Sequence, residues 1–288
     1  MKKILLPTDF SETSKNAIRC AIRYFANISV EFVLLNATDK SAVLNRGHQS
    51  TNLNLQTEAD LRALGEKLFS GNGLVQHTFR VVVMAMAPKA AITLMLQNES
   101  FDWVIVGTTG TSKANAFGNL ATALIRLNRC NVLIVPFSSQ PDTPLLNVLF
   151  ATDYQPLGTG AVNSLHALVG IHHAELTFLT ILAKKTLQVA PEKSIRDAYQ
   201  APFTDLTINE AIESHIGLRS GIEDYIDSHN VDLLIVTCHH RSLLDVLLRR
   251  SLTHQLANKP LIPLAVLADP DQSLTGIVER SVKGEVLL

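Results

Sequence analysis

Two short segments hold the residue types that a phosphorylated ligand would need. One is 7-PTD-9, which closes an apolar run near the amino terminus; the other is 106-VGTTGTSKANAFGN-119, which follows a second apolar run. An Asp at a strand end, such as Asp9, can accept hydrogen bonds from ribose hydroxyls or an adenine amine. Gly107 and Gly110 let backbone amides approach phosphates closely, and a helix starting after them would turn its positive end toward the anion. Thr109, Thr111 and Ser112 add hydroxyl donors. The loop matches neither GxGxxG nor the GKS or GKT ending of a phosphate-binding loop. A plainer explanation exists for each feature. The glycines serve any strand-to-helix turn that needs permissive backbone angles, and an Asp after a first strand can order that turn or cap the next helix.

Other reactive groupings are weaker. The run 238-CHH-240 offers metal-ligating side chains, but three adjacent ligands converge poorly on one ion and no second cluster completes the set. No GxSxG elbow and no HExxH helix is present. Asp9 could assist ATP hydrolysis, yet neither a phosphate-loop lysine nor an acidic strand to hold magnesium accompanies it. The arginine pair in 247-LLRRSLTHQL-256 reads as the solvated side of an amphipathic helix.

These residues must be positioned by a scaffold, and the chain of 288 residues is written twice. The segment 4-ILLPTDFSET-13 recurs as 148-VLFATDYQPL-157, pairing Thr8 with Thr152 and Asp9 with Asp153. Similarly 32-FVLLNATDK-40 aligns with 176-LTFLTILAK-184, 101-FDWVIVGTTG-110 with 231-VDLLIVTCHH-240, and 131-NVLIVP-136 with 263-PLAVLA-268. Two domains follow, 1–138 and 145–268, with a Ser- and Pro-containing seam near 137–144 and a tail at 269–288 without a counterpart. In the first copy, short apolar runs at 3–7, 32–37, 75–83, 101–107 and 131–135 predict strands. Helical spacing covers Ala17 to Phe25 with Ser11 as N-cap, about 55–70, 88–98 opened by Pro88, and about 118–127. The polar segment 44–54 reads as a loop on the ligand face. In the second copy, 206–228 reads as the longest helix. Alternating strands and helices require a parallel sheet with right-handed crossovers and helices on both faces. Ligands of such sheets bind beyond the carboxyl ends of the strands, where strand order reverses. That address joins 7-PTD-9 to the glycine loop.

Composition excludes several classes. An apolar fraction of 47% with 18% charged residues and a net charge of −1 suits a packed globular protein and gives no nucleic-acid footprint. The apolar stretches are strand-sized, too short for a membrane span, and MKKILLPTDF lacks the core of a signal peptide. Cys20, Cys130 and Cys238 are scattered and odd in number. A reducing cytoplasm is therefore the expected location.

The duplication, with 4-ILLPTDFSETSKNA-17, 106-VGTTGTS-112 and 130-CNVLIVP-136, resembles the universal stress proteins in tandem form. The resemblance implies two doubly wound five-stranded domains of the adenine-nucleotide alpha-hydrolase-like, Rossmann-like type, strand order 3-2-1-4-5, associated through their last strands as a pseudo-dimer. It implies a non-enzymatic stress-response protein that binds ATP, ADP or AMP; the residues themselves predict no metal site. By position, Pro7, Thr8 and Asp9 would lie along the base and ribose, and Ala37 would flank the adenine. Val106, Gly107 and Gly110 would begin the phosphate cradle, with Gly118 and Asn119 completing it. The family signature is G-x2-G-x9-G-(S/T/N), whereas seven residues separate Gly110 from Gly118. Copy two keeps nine residues between His240 and Arg250 but has Thr237, His240 and Arg250 where the glycines would be. Nucleotide binding is thus expected in the first domain only. Alternatives are an interaction scaffold that has lost its nucleotide and a weak ATPase; further association of two chains is compatible with either.

Overall fold

The computed structural model describes residues 1–38, 50–69, 77–108, 118–183, 190–237 and 262–270, with side chains omitted at 50–53, 118–119 and 183. The chain divides into two compact units, the first built on Met1–Thr143 and the second beginning at Pro144.

Unit one alternates β1 (Lys2–Pro7), α1 (Glu12–Tyr24), β2 (Val30–Ala37), α2 (Ser50–Phe69), β3 (Thr78–Met84), α3 (Pro88–Asn98), β4 (Trp103–Gly107), α4 (Gly118–Leu127) and β5 (Asn131–Val135). Its strands lie in the order β3-β2-β1-β4-β5, with parallel pairing throughout. Both faces of such a sheet are covered by crossover helices, which is why β1 and β2 are near-continuous apolar runs rather than alternating ones. Ile4, Leu5, Leu6 and Phe32 through Leu34 are fully buried.

Unit two contains β6 (Asn147–Ala151), α5 (Thr159–His172), β7 (Glu175–Ala183), α6 (Lys193–Gln200), a 3-10 turn (Ala201–Phe203), β8 (Ile208–His215), α7 (Leu218–Ser228), β9 (Leu233–Thr237) and β10 (Leu264–Leu267). Here β10 lies beside β9, followed by β6, β7 and β8. The registers repeat the sequence offset. Ile4 pairs with Phe32 and Trp103, while Val148 pairs with Leu176 and Leu233.

Three elements depart from the sequence reading. The stretch 206–228 is not one helix; β8 and α7 divide it, with Gly217 as the N-cap of α7. Ile208, Ala211, Ile212 and His215 fall at helical spacing and are the less exposed residues of β8. The segment nonetheless pairs with β7 along its whole length, from Leu176↔Ile208 to Ala183↔His215. Backbone pairing at the sheet edge outweighs a side-chain period that points to a helix. Second, α2 begins at Ser50, so part of the segment read as a loop at 44–54 is helical; 39–49 lie outside the described residues. Third, Asp269, the first residue of the expected tail, is buried, and its Oδ2 accepts the Gly158 amide at 3.0 Å. Residues 271–288 are outside the described set.

At the amino ends of the strands, polar groups tie unit one together. The Arg80 guanidinium bridges Glu31 at 3.0 Å and Glu99 at 2.5 Å, and Lys3 Nζ reaches Glu99 at 3.1 Å. This fastening leaves the opposite, carboxyl edge to the loops that could meet a ligand.

Candidate functional site

The chain leaves β1 through a turn built from 8-TDF-10. Phe10 has φ 64°, a left-handed conformation that bulky residues avoid. Two side chains hold it there. The Thr8 hydroxyl oxygen accepts the Phe10 amide at 3.0 Å, and Asp9 Oδ1 accepts the Ser11 amide at 3.0 Å. Ser11 then caps α1 by accepting the Ser14 amide at 3.2 Å. Ser14 donates its hydroxyl to the Ser11 carbonyl at 2.9 Å, which leaves its oxygen to receive the Thr8 hydroxyl at 2.8 Å. Thr8 is buried, and both its donor and an acceptor lone pair are engaged. Its side chain is turned into the protein rather than toward a base.

Asp9 is exposed. Partial desolvation pushes the carboxyl pKa upward, but hydrogen bonding, chiefly from Ser11, outweighs this and holds it below the ordinary value. The carboxylate therefore stands ionised at the start of α1, where it complements the helix dipole together with Glu12. An anion would meet repulsion at this end. The first turn of α4 carries no acidic residue, so α4 is the more favourable of the two helix ends for phosphate.

The same turn recurs in unit two. Thr152 accepts the Tyr154 amide at 2.9 Å, Asp153 Oδ1 accepts the Gln155 amide at 3.1 Å, and Tyr154 has φ 61°. Asn36 donates to the Thr8 carbonyl at 2.8 Å, and Thr180, its counterpart, donates to the Thr152 carbonyl at 2.9 Å. Sequence reasoning did not single out Asn36 or Ser14. A visible signal for Asn36 was a polar residue inside an apolar strand, at matching positions of both copies.

The sheet brings the predicted residues to one edge. Pro7 pairs with Leu35 and Gly107 with Val135, while the Thr8 amide reaches the Leu35 carbonyl at 2.8 Å. Carrying the Leu5↔Val104 register two residues further sets Pro7 beside Val106. Ala37 ends β2, and the adjoining Thr38 amide bonds to Met84. Gly118 opens α4, with Asn119 in its first turn. Gly110, Thr109, Thr111 and Ser112 lie outside the described residues, as do 238–240.

Gly107 has a packing reason independent of any ligand. A Cβ there would lie 2.7 Å from the Thr13 carbonyl oxygen and 2.8 Å from Thr13 Cγ2. The first turn of α1 crosses directly over the end of β4, and only glycine leaves room. Unit two accommodates Thr237 at this place, wholly buried. There α5 begins six residues after Asp153, whereas α1 begins three after Asp9. The counterpart of Thr13, Leu157, precedes the helix, so the crowding turn is absent.

Residues 1–136 match the universal stress protein family. No curated protein matches the chain in sequence. The chain is similar to a universal stress protein from Archaeoglobus fulgidus, with 14% identity and a TM-score of 0.61 across 92% of this chain and 97% of that one. A functionally unknown protein from Pseudomonas aeruginosa is similar over 98% of each chain, at 14% identity and a TM-score of 0.51. At these identities the likeness is one of fold: mixed α/β with a Rossmann-like parallel sheet. Among the described residues, no helix is long and apolar enough to cross a membrane.

Proposed function

We propose that the chain is a tandem universal stress protein of the cytoplasm, with two doubly wound five-stranded domains, whose first unit binds an adenine nucleotide without turning it over. The observation that carries this reading is the convergence of Pro7, Asp9, Ala37, Val106 and the start of α4 on one carboxyl edge of a parallel sheet, within the segment that matches the family. Phosphates would rest on the amides of the Gly107–Gly118 segment and the α4 terminus, and the base would lie against Pro7 and Ala37. Unit two has side chains at each aligned glycine position and serves as a partner that holds no nucleotide.

A scaffold that works without nucleotide is favoured by one specific observation. Thr8, Asp9 and Gly107 each have a structural task, and the Thr–Asp turn is equally intact in unit two. Titration calorimetry with ATP, joined to a phosphate-release assay, separates the readings. Binding at one site per chain without phosphate release supports the proposal. No heat at high micromolar ATP and no nucleotide freed by denaturing the purified protein would refute it in favour of the scaffold, and steady release would establish a slow ATPase. Gly107→Val is a poor probe of the cradle, because it collides with Thr13. Gly110→Val is the suitable one, with at least a tenfold loss of ATP affinity expected.

A further inference from the structure

Unit two carries an aromatic side chain held like a ligand. Tyr199, on α6, lies parallel to the Phe150 ring with centroids 6.5 Å apart, and edge-on to Tyr154 and Phe178 at 5.1 and 6.1 Å. The Thr152 hydroxyl donates to its phenolic oxygen at 3.0 Å. In unit one the equivalent hydroxyl, that of Thr8, meets Ser14. The residue at Ser14's place in the repeat is Gly158, which has no hydroxyl, so Thr152 is satisfied by Tyr199 instead. Burial also pushes the Tyr199 phenol upward, leaving it neutral.

The rest of α6 is fastened lightly. None of its eight residues is fully buried, and Ile195 is half exposed. Arg196 pairs with Glu210, and Gln200 Nε2 donates to Glu210 and to the Tyr154 hydroxyl, both at 3.2 Å. Tyr154 donates to the same Glu210 at 2.6 Å. One ring and one carboxylate thus hold a short helix against Phe150 of β6, Phe178 of β7 and Glu210 of β8. A segment with so few buried contacts belongs to the part of a fold that opens first.

We infer that Thr152, Tyr154, Phe150 and Phe178 form a latent site for a planar aromatic ring bearing a hydroxyl, occupied by the chain's own Tyr199, with α6 as the strap that keeps it filled. A ring of this kind from another molecule competes with Tyr199 when the strap lifts. The inference is independent of nucleotide binding in unit one.

The test uses the full chain and 4-methylphenol, which carries the phenol ring that Tyr199→Ala removes. That variant is expected to melt at a lower temperature than the wild type. Added 4-methylphenol should raise its Tm saturably and bind once per chain by calorimetry, with a much weaker apparent affinity for the wild type, where Tyr199 competes. Glu210→Gln keeps the ring but weakens the strap. It should speed amide exchange in 193–200 at least tenfold while exchange in β6 and β7 stays as in the wild type. The inference is overturned if Tyr199→Ala folds and 4-methylphenol neither stabilises nor binds it. It is equally overturned if Glu210→Gln leaves exchange in 193–200 at the wild-type rate, a readout that survives if Tyr199→Ala does not fold.

Discussion

Replacing Gly107 with alanine tests whether packing, rather than a ligand, dictates this glycine. The added Cβ would sit 2.7 Å from the Thr13 carbonyl oxygen, 2.8 Å from Cγ2 and 3.0 Å from the carbonyl carbon. Comfortable contacts between carbon atoms are about 3.5–4.0 Å. A new rotamer relieves the methyl contact, but the carbonyl belongs to the helix backbone, which must withdraw by roughly 0.5–1 Å. That withdrawal is resisted. Asn16 anchors α1 to the carbonyls of Pro136, Phe137 and Ser139, at 3.4, 3.4 and 2.9 Å, and Ser14 anchors it to Thr8. Overpacking costs about 1–3 kcal/mol, and a rigidly held helix places the expectation near ~2 kcal/mol. In a unit of this size the corresponding fall in Tm is roughly 6–10 °C. Trp103 is the chain's sole tryptophan and lies buried in β4, so its fluorescence in a urea titration reads unit one. A change below ~0.5 kcal/mol, within the range of neutral surface substitutions, would refute the packing argument. Loss of ATP affinity at unchanged stability would return the glycine to the ligand.

Ser11→Ala removes the α1 cap and should lower unit-one stability by about 1 kcal/mol, read by the same fluorescence. Burial pushes Glu99 upward, but hydrogen bonds from Lys3 and Arg80 outweigh it and hold its carboxyl below the ordinary range. A carboxyl whose pKa is depressed by folding contributes stability above its unfolded pKa and loses it as pH falls through the folded one. Wild type should therefore exceed Glu99→Gln by less than ~1 kcal/mol at neutral pH, since the pair is partly solvated, and the gap should close below about pH 4.5. Burial pushes the Cys20 and Cys130 thiols up to about 12. In a Cys238→Ser background, neither should react with a disulfide reagent at pH 8 until urea unfolds the chain, because the thiolate fraction is about one in ten thousand.

The repeated strands were legible because both β1 and β6 are short buried runs followed by Thr-Asp, and buried parallel strands carry a strong, context-free signal. The N-cap at Ser11 and the helix opening at Pro88 were legible for local reasons, since capping and missing amide donors depend on a few neighbouring residues. The edge strand β8 was not. It is only partly buried, so its few apolar residues mimic a helix face, and the decisive fact is pairing with a strand about 30 residues earlier. The address of the candidate site was readable from strand order, but the internal use of Thr8 was not. Whether a hydroxyl faces a ligand or Ser14 depends on where α1 starts relative to β1. The reason for Gly107 was hidden for the same cause: spacing along the chain does not reveal which backbone passes overhead.

The left-handed residues that follow Asp9 and Asp153 give each unit its own reporter. One is Phe10 and the other Tyr154, so selective isotope labelling of phenylalanine or tyrosine separates two otherwise duplicate turns in a magnetic resonance spectrum. A positive φ brings the amide and alpha protons of the same residue unusually close, giving a strong intraresidue cross-peak that few non-glycine residues share. Loss of that cross-peak at Phe10 but not at Tyr154 would show the first half loosening while the second remains folded. The duplication that makes the halves alike thus also supplies the chemical difference by which they can be followed apart.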